Sequence, residues 1–334
     1  MTKKDNILFI SLGRSPAVVP ETIDALMDKG IYVKRTYLIT TSDEIIIQKC
    51  IPLIQEDFEA KYREKGMHLC PWQAILSSDD IYTERDNLKL MIKVSGIFKK
   101  EVGNNIYISM AGGRKTMSAA MALLAQIYGA RAITHVLVPP EIEKNGNIFQ
   151  LEGLPKDVRE QILHPKEKRL IFFPVIGISW MLDDMIKALQ GIQVKSIRKE
   201  VREIMMENNL LDENYKPTPL GEQLFKLLND IEKYPIPSSK LPELKFKQDE
   251  FPHAPKGFQK FINKLSNVPY IEEIIGLEYK NSPETRINEL YSDGSFKCQY
   301  SDGDKAYSLK VITTAKSRGE LQFIKENLQQ YFED

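Results

Sequence analysis

Between residues 6 and 177, short apolar runs alternate with longer amphipathic stretches. The runs at 7–12, 33–40, 106–110, 132–138 and 170–176 have the continuous hydrophobic character of strands buried on both faces. Between them, 20–29, 43–65 and 115–128 carry apolar positions at helical spacing. This alternation predicts an α/β fold, a Rossmann-like parallel sheet with helices on both faces. Such sheets bind ligands beyond the carboxyl ends of their strands.

From 178 onward the pattern turns helical. Helices are predicted at 178–189 and 194–208, the second with Ile197, Val201 and Ile204 on one face. Asp212 to Tyr215 predicts a turn, after which Thr218 suits an N-cap and Pro219 a first helical turn, with the helix running to 228. Together these form a helical, winged-helix-like segment over 191–233. Pro235, Pro237, Pro242, Pro252 and Pro255 stand among charges, so 234–254 is expected to be an extended linker. The tail, 255–334, predicts a small α+β domain: a helix at 255–266, strands at 286–290, 295–300 and 307–313, and a helix at 318–331. Ser292-Asp293-Gly294 and Ser301-Asp302-Gly303-Asp304 are turn-rich, which makes the three strands an antiparallel meander.

Composition narrows the class. Of 334 residues, 42% are hydrophobic and 28% charged, as in a globular chain of more than one domain. Lys plus Arg and Asp plus Glu each number 46, so any contact with nucleic acid has to be local. Cys50, Cys70 and Cys298 are too few and scattered for a disulfide framework or a zinc site. With neither an export signal nor a membrane-length apolar run, a cytoplasmic protein with no membrane partner is expected.

Candidate chemistry lies where two strands give way to helices. Gly112 and Gly113 allow a ligand close to the backbone, and the following helix start directs free N–H groups at an anion, with Arg114, Lys115 and Thr116 adding charge and a hydroxyl. Ser11, Gly13, Arg14 and Ser15 offer the same groups after the first strand. Cations at a helix N-terminus oppose its dipole, which points to a bound anion between the loops. Arg114 stands where a P-loop needs its last glycine, and Gly13-Arg14-Ser15-Pro16 departs from the dinucleotide fingerprint, so ATP and dinucleotides are disfavoured.

The stretches LFISLGRSPAVVPET, from Leu8 to Thr22, and SMAGGRKTMS, from Ser109 to Ser118, resemble a CARF domain. These are Rossmann-like sensors of cyclic oligoadenylates in CRISPR systems. The resemblance covers 1–190 and implies a homodimer with a cyclic oligoadenylate as allosteric activator, cyclic tetra-adenylate being the ring favoured by the symmetry of a dimer. A ring with twofold symmetry would lie across an isologous interface, contacted by Ser11 and Lys115 of both copies. Some relatives cleave their ring slowly, a reaction for which Ser11, Arg14 and Lys115 are suited.

The tail resembles RelE-type toxins, small ribonucleases that cut mRNA on the ribosome with a cluster of cations and no metal. Lys316 and Arg318 match the basic pair after the last strand, Lys297 the middle strand and Arg286 the preceding one, while Tyr331 lies further on than in the family. Strand alternation would allow Arg286, Lys297 and Lys316 to converge on one face. His253, in the proline-rich stretch, disfavours a histidine mechanism. The combined expectation is a type III CRISPR effector, without metal or cofactor, whose activator switches a ribosome-dependent endoribonuclease that inhibits translation. Two rivals stand beside it. A winged-helix transcription regulator is weakened because 217–228 holds only Lys226 as a cation. The other rival is a stand-alone ring nuclease with an inert tail.

Overall fold

The computed structural model describes residues 4–76, 78–192, 197–238, 240–246 and 257–329. The chain forms two compact units, Met1–Asn229 and Asp230–Asp334. The expected segment 191–233 is not a unit of its own: up to Asn229 it belongs to the first unit. Its helices share a core with residues of the preceding domain, among them Ile127, Met181, Val201 and Leu228.

The first unit is built around a six-stranded sheet in the order β3-β2-β1-β4-β5-β6. In chain order its elements are β1 (Asn6–Ser11), α1 (Val18–Met27), β2 (Arg35–Thr40), α2 (Ile51–Lys61), β3 (His68–Ile75), α3 (Glu84–Lys100), β4 (Asn105–Ser109), α4 (Lys115–Tyr128) and β5 (Ala132–Leu137). Then come α5 (Pro140–Asn145), α6 (Ile148–Leu151), α7 (Lys156–Leu163), β6 (Arg169–Phe173), α8 (Leu182–Leu189), α9 (Lys199–Glu207) and α10 (Pro219–Lys233), the last running across the boundary between the units. β1 is central and pairs in parallel with β2 and β4; its Ile7, Leu8, Phe9 and Ile10 are fully buried. That burial is why these strands read as unbroken apolar runs.

Four features differ from expectation. β3 was not foreseen, because His68 to Ile75 contains Pro71 and no alternation; a proline is tolerated there because the strand lies at the sheet edge. β6 is antiparallel to β5, with Arg169 opposite Leu137. The connection through α5, α6 and α7 therefore ends beside the carboxyl end of β5 rather than crossing back. The helix expected over 43–65 opens with a π-helical turn, Ile46–Cys50, before α2. Pro52 lacks an N–H and would clash with the carbonyl four residues back, and a wider turn relieves both. Between α9 and α10 the described residues hold a single isolated bridge, Leu211 to Pro217, in place of a wing. Thr218 does cap α10, its Oγ1 accepting from Gly221 N–H at 3.1 Å. α9 starts at Lys199, and residues 194–196 of the expected helix lie outside those described.

The second unit contains β7 (Glu243–Lys245), α11 (Phe258–Ser266), β8 (Ile271–Asn281), β9 (Arg286–Leu290), β10 (Ser295–Ser301), β11 (Lys305–Thr313) and α12 (Arg318–Leu328). The expected meander β9-β10-β11 is extended by two strands to a sheet of order β7-β8-β11-β10-β9. β8 escaped notice because Gly276 and paired glutamates break its pattern. The glycine is needed, since a Cβ there would lie 2.4 Å from the Tyr307 hydroxyl. Part of the expected linker is thus structural: β7 pairs in parallel with β8, and Ser238 N–H donates to Pro269 O at 2.7 Å. α11 packs Phe258 and Phe261 against Tyr300, on the sheet face opposite Lys297.

Candidate functional site

The loops after β1 and β4 lie side by side because their strands pair in register, Ile10 opposite Ser109. They touch closely. A Cβ on Gly112 would stand 2.3 Å from the Ser11 carbonyl oxygen, and one on Gly13 3.3 Å from Gly113 Cα. Gly113 has φ of +73°, which favours glycine. Ser11, expected to face the ligand, is fully buried, and its hydroxyl donates to Gly112 O at 2.5 Å. It ties the two loops together. Beneath them Thr22 and Ser109, which local sequence gave no reason to single out, share a buried hydroxyl contact of 3.2 Å.

Above this tie the surface is rich in donors. Among the described residues, the backbone N–H groups of Gly112, Gly113, Arg114, Lys115 and Thr116 donate to no protein acceptor, and α4 has no side-chain cap. Lys115 and Thr116 are exposed and form no bond with another side chain. Ser15 is half-buried beside them in the first loop.

The two arginines are committed elsewhere. Arg14 donates from Nε and Nη2 to Asp43 Oδ2, at 3.2 and 2.6 Å. Arg114 donates from Nε to Asp80 Oδ1 at 3.0 Å and from Nη2 to Asp80 Oδ2. Asp43 and Asp80 follow β2 and β3, so both come from the same sheet end as the loops. Burial pushes the Asp43 carboxyl upward, but the Arg14 and Ile46 donors outweigh it and hold the group below the usual carboxylate range. The Arg114 donor does the same for Asp80. The charge at the start of α4, expected to mark a bound anion, is therefore already balanced within the chain at Arg114. It is not balanced at Lys115.

In the second unit the expected residues fall into two groups. Lys297 on β10 stands opposite Lys310 of β11 and Glu289 of β9, with Glu278 at 3.8 Å. Lys316 and Arg318 flank the capping box of α12, in which Ser317 Oγ accepts from Glu320 N–H and the Glu320 carboxylate accepts from the Lys316 and Ser317 N–H groups. They follow Thr313, near the end of the sheet where β10 begins. Arg286 is opposite Gln299, about 13 Å further along β10 at the rise of a strand, and binds Glu284 and Asn288. The register therefore keeps Arg286 apart from Lys316, and the expected convergence of Arg286, Lys297 and Lys316 is not formed. Lys310 is a cation that sequence spacing did not single out. Tyr331 and His253 lie outside the described residues. No group of three or more metal-ligating side chains occurs among the described residues.

Comparison with known proteins adds three findings. Residues 15–208 match the model of the family described as CRISPR-associated protein NE0113 (Cas_NE0113). A stretch of 150 residues, 45% of the chain, is 29% identical to the CRISPR system ring nuclease SSO2081 of Saccharolobus solfataricus and covers 82% of that protein. Among solved structures, Enterococcus italicus Csm6 bound to cyclic hexa-2'-fluoro-hexa-dAMP aligns with a TM-score of 0.36 and 13% identity, over 69% of this chain. The chain spans about half of that one, 55% of its length.

Proposed function

The chain belongs to the Cas_NE0113 family of CRISPR-associated proteins, and from that premise we propose that its first unit binds a cyclic oligoadenylate on the paired loops and slowly opens the ring. The observation that carries this reading is the run of five unpaired N–H groups from Gly112 to Thr116, beside an uncommitted Lys115. Such a run of donors at a helix start binds phosphate oxygens through backbone N–H groups and helix dipole together. The ring nuclease relative supports cyclic oligoadenylate as the ligand class.

Ring opening needs no external nucleophile. The 2′-oxygen of one ribose bonds to the adjacent phosphorus while the bond from phosphorus to the 5′-oxygen breaks. The 2′-hydroxyl proton passes to water and the 5′-oxygen takes one up. Lys115 and the backbone donors meet the charge that develops on the phosphoryl oxygens. Ser11 acts as a positioning residue, by holding Gly112 against β1. A homodimer completes the site, each copy contributing one pair of loops. Ala119 and Leu123, exposed on α4 next to Lys115, supply an apolar strip for the second copy.

The second unit is the output of this sensor, a metal-independent ribonuclease acting on mRNA at the ribosome. Support comes from the face opposite α11, where Lys297 and Lys310 stand directly across from each other. Glu278 at 3.8 Å from Lys297 and Asp293 at 3.4 Å from Lys310 offset these charges within the chain, and a phosphate would have to compete with those carboxylates for the two ammonium groups. Lys316 and Arg318 lie toward the same end of the sheet.

The test is incubation of the full chain with labelled cyclic tetra-adenylate, the products being resolved by length and by end group. Linear products ending in a 2′,3′-cyclic phosphate are expected, with Lys115→Ala inactive. A ring that neither binds in calorimetry nor opens over hours refutes the proposal.

A further inference from the structure

Two arginines and two aspartates pair at the carboxyl end of the first sheet, where their charges cancel, beside the unbalanced Lys115. Each arginine spends its Nε–Nη2 edge on an aspartate, and each leaves Nη1 without a protein acceptor. The carboxylates are the less accessible partners, with Asp43 and Asp80 side chains both 16% exposed against 49% for Arg14 and 66% for Arg114. They are also anchored. Asp43 Oδ1 accepts from the Ile45 and Ile46 N–H groups at 3.0 and 3.1 Å, Asp80 Oδ1 accepts from Ile81 N–H at 2.8 Å, and Ser42 N–H donates to Ser78 O at 2.9 Å, joining the two segments.

The reach of these pairs is notable. Arg114 follows β4 and Asp80 follows β3, so their ion pair crosses the ends of β1 and β2. Arg14 and Asp43 form a shorter pair between the neighbouring ends of β1 and β2. Each pair is close enough for its charges to act on the other pair's arginine.

We propose that Asp43 and Asp80 are resident counter-anions that make the site selective for a ligand presenting several phosphates in one closed molecule; this rests on the ring-binding function argued above. A tethered carboxylate competes at high effective concentration, so a lone phosphate gains little by displacing one. A ring places several phosphates at once, and the first contact makes the remaining exchanges intramolecular. Mononucleotides and linear oligoadenylates, which hold their phosphates less rigidly, have to order themselves as well as displace the aspartates.

The experiment is calorimetric titration of the full chain, wild type, Asp80→Asn and Asp43→Asn/Asp80→Asn, with cyclic tetra-adenylate, linear tetra-adenylate, AMP and pyrophosphate. Asparagine removes the charge and keeps one acceptor oxygen: at position 80 it can still serve Ile81 N–H and Arg114 Nε together, and at position 43 it can keep the Ile45 and Ile46 bonds while giving up those to Arg14. Thermal unfolding checks that each variant is folded, and Asp80→Asn alone leaves the Asp43 cap intact. Linear tetra-adenylate, AMP and pyrophosphate should bind the double variant about tenfold tighter or more, the scale expected for one unit charge removed near an anion. The ring should change less, so its preference over the linear form narrows. Equal or weaker binding of all four ligands to folded variants overturns the proposal, the aspartates then merely orienting the arginines. Failure of the ring-binding reading looks different: wild type would bind no ring, while the variants would still gain pyrophosphate.

Discussion

Single residues divide here into those that shape the loops and those that are free to meet a ligand. Gly112 belongs to the first kind. A methyl group there would sit 2.3 Å from the Ser11 carbonyl oxygen, backbone that has no rotamer with which to escape. Gly112→Ala is expected to destabilise the first unit by about 1–3 kcal/mol, as other forced overpacking does, visible as a lowered unfolding midpoint. Lys115 is of the second kind. Lys115→Ala should leave the midpoint within about 0.5 kcal/mol of wild type yet weaken ring binding about 10- to 100-fold, the worth of a charged hydrogen bond. Wild-type affinity in Lys115→Ala would remove that side chain from the site. The glycines were legible because a Gly-Gly pair between strand and helix has few uses. Asp43 and Asp80 were not: they meet arginines 29 and 34 positions away through strand order, which no local spacing records.

At the scale of elements, α1, α2 and α7 are joined by one side chain. His164 reaches Asp24 through Nδ1 and Asp57 through Nε2, both at 2.9 Å, and the Tyr62 hydroxyl donates to Asp24 at 2.7 Å. An imidazole between two carboxylates donates from both nitrogens only when protonated. Burial opposes that charge, but the bonds to Asp24 and Asp57 outweigh it and raise His164 from 6.5 to about 9. With the folded pKa above the unfolded one, its contribution is complete below pH 6.5 and is lost as pH rises through 9. Glu21 of α1 adds a lower window. Burial, then the charge of Glu143, raises it from 4.5 to about 7, so stability declines as pH rises between those values. Chemical denaturation from pH 4 to pH 10 should show both declines, each about 1–3 kcal/mol. His164→Gln should flatten the upper one and Glu21→Gln the lower one. If His164→Gln keeps the upper slope, the three-helix link is not its cause. Helix identities were largely legible from apolar periodicity, whereas such links between helices were not, since they depend on packing. Missed strands share a cause: β3 and β8 carry Pro71 and Gly276 where regular strands carry β-branched residues.

For the whole molecule, the balance of 46 basic and 46 acidic side chains excludes a broad attraction to nucleic acid and confines any such contact to local sites. The order of sheet then helices then sheet was legible too, but the end of the linker was not, because three residues of β7 are too few to show a period. The proposed assembly has a definite stoichiometry. A ring with twofold symmetry has to meet equivalent loops from two copies, so calorimetry should give one cyclic tetra-adenylate per two chains, and sedimentation a particle of twice the chain mass. Leu123, 43% exposed on α4 beside the ligand loop, is placed to lie in that contact. Leu123→Asp would bury an unpaired carboxylate in the dimer but leave the isolated chain folded. The expected result is a monomer with an unchanged unfolding midpoint, ring affinity reduced about tenfold or more, and no ring-dependent mRNA cleavage in a translating extract. A Lys316→Ala/Arg318→Ala variant should behave oppositely, binding the ring as a normal dimer while mRNA stays intact. Because coupling between two sites is reciprocal, a sensor that drives the second unit must also feel it. Ribosome-bound mRNA should then tighten ring binding in wild type but not in the Lys316→Ala/Arg318→Ala variant. Identical ring affinities with and without ribosomes would mean that the units act independently, and would leave the first as a ring nuclease alone.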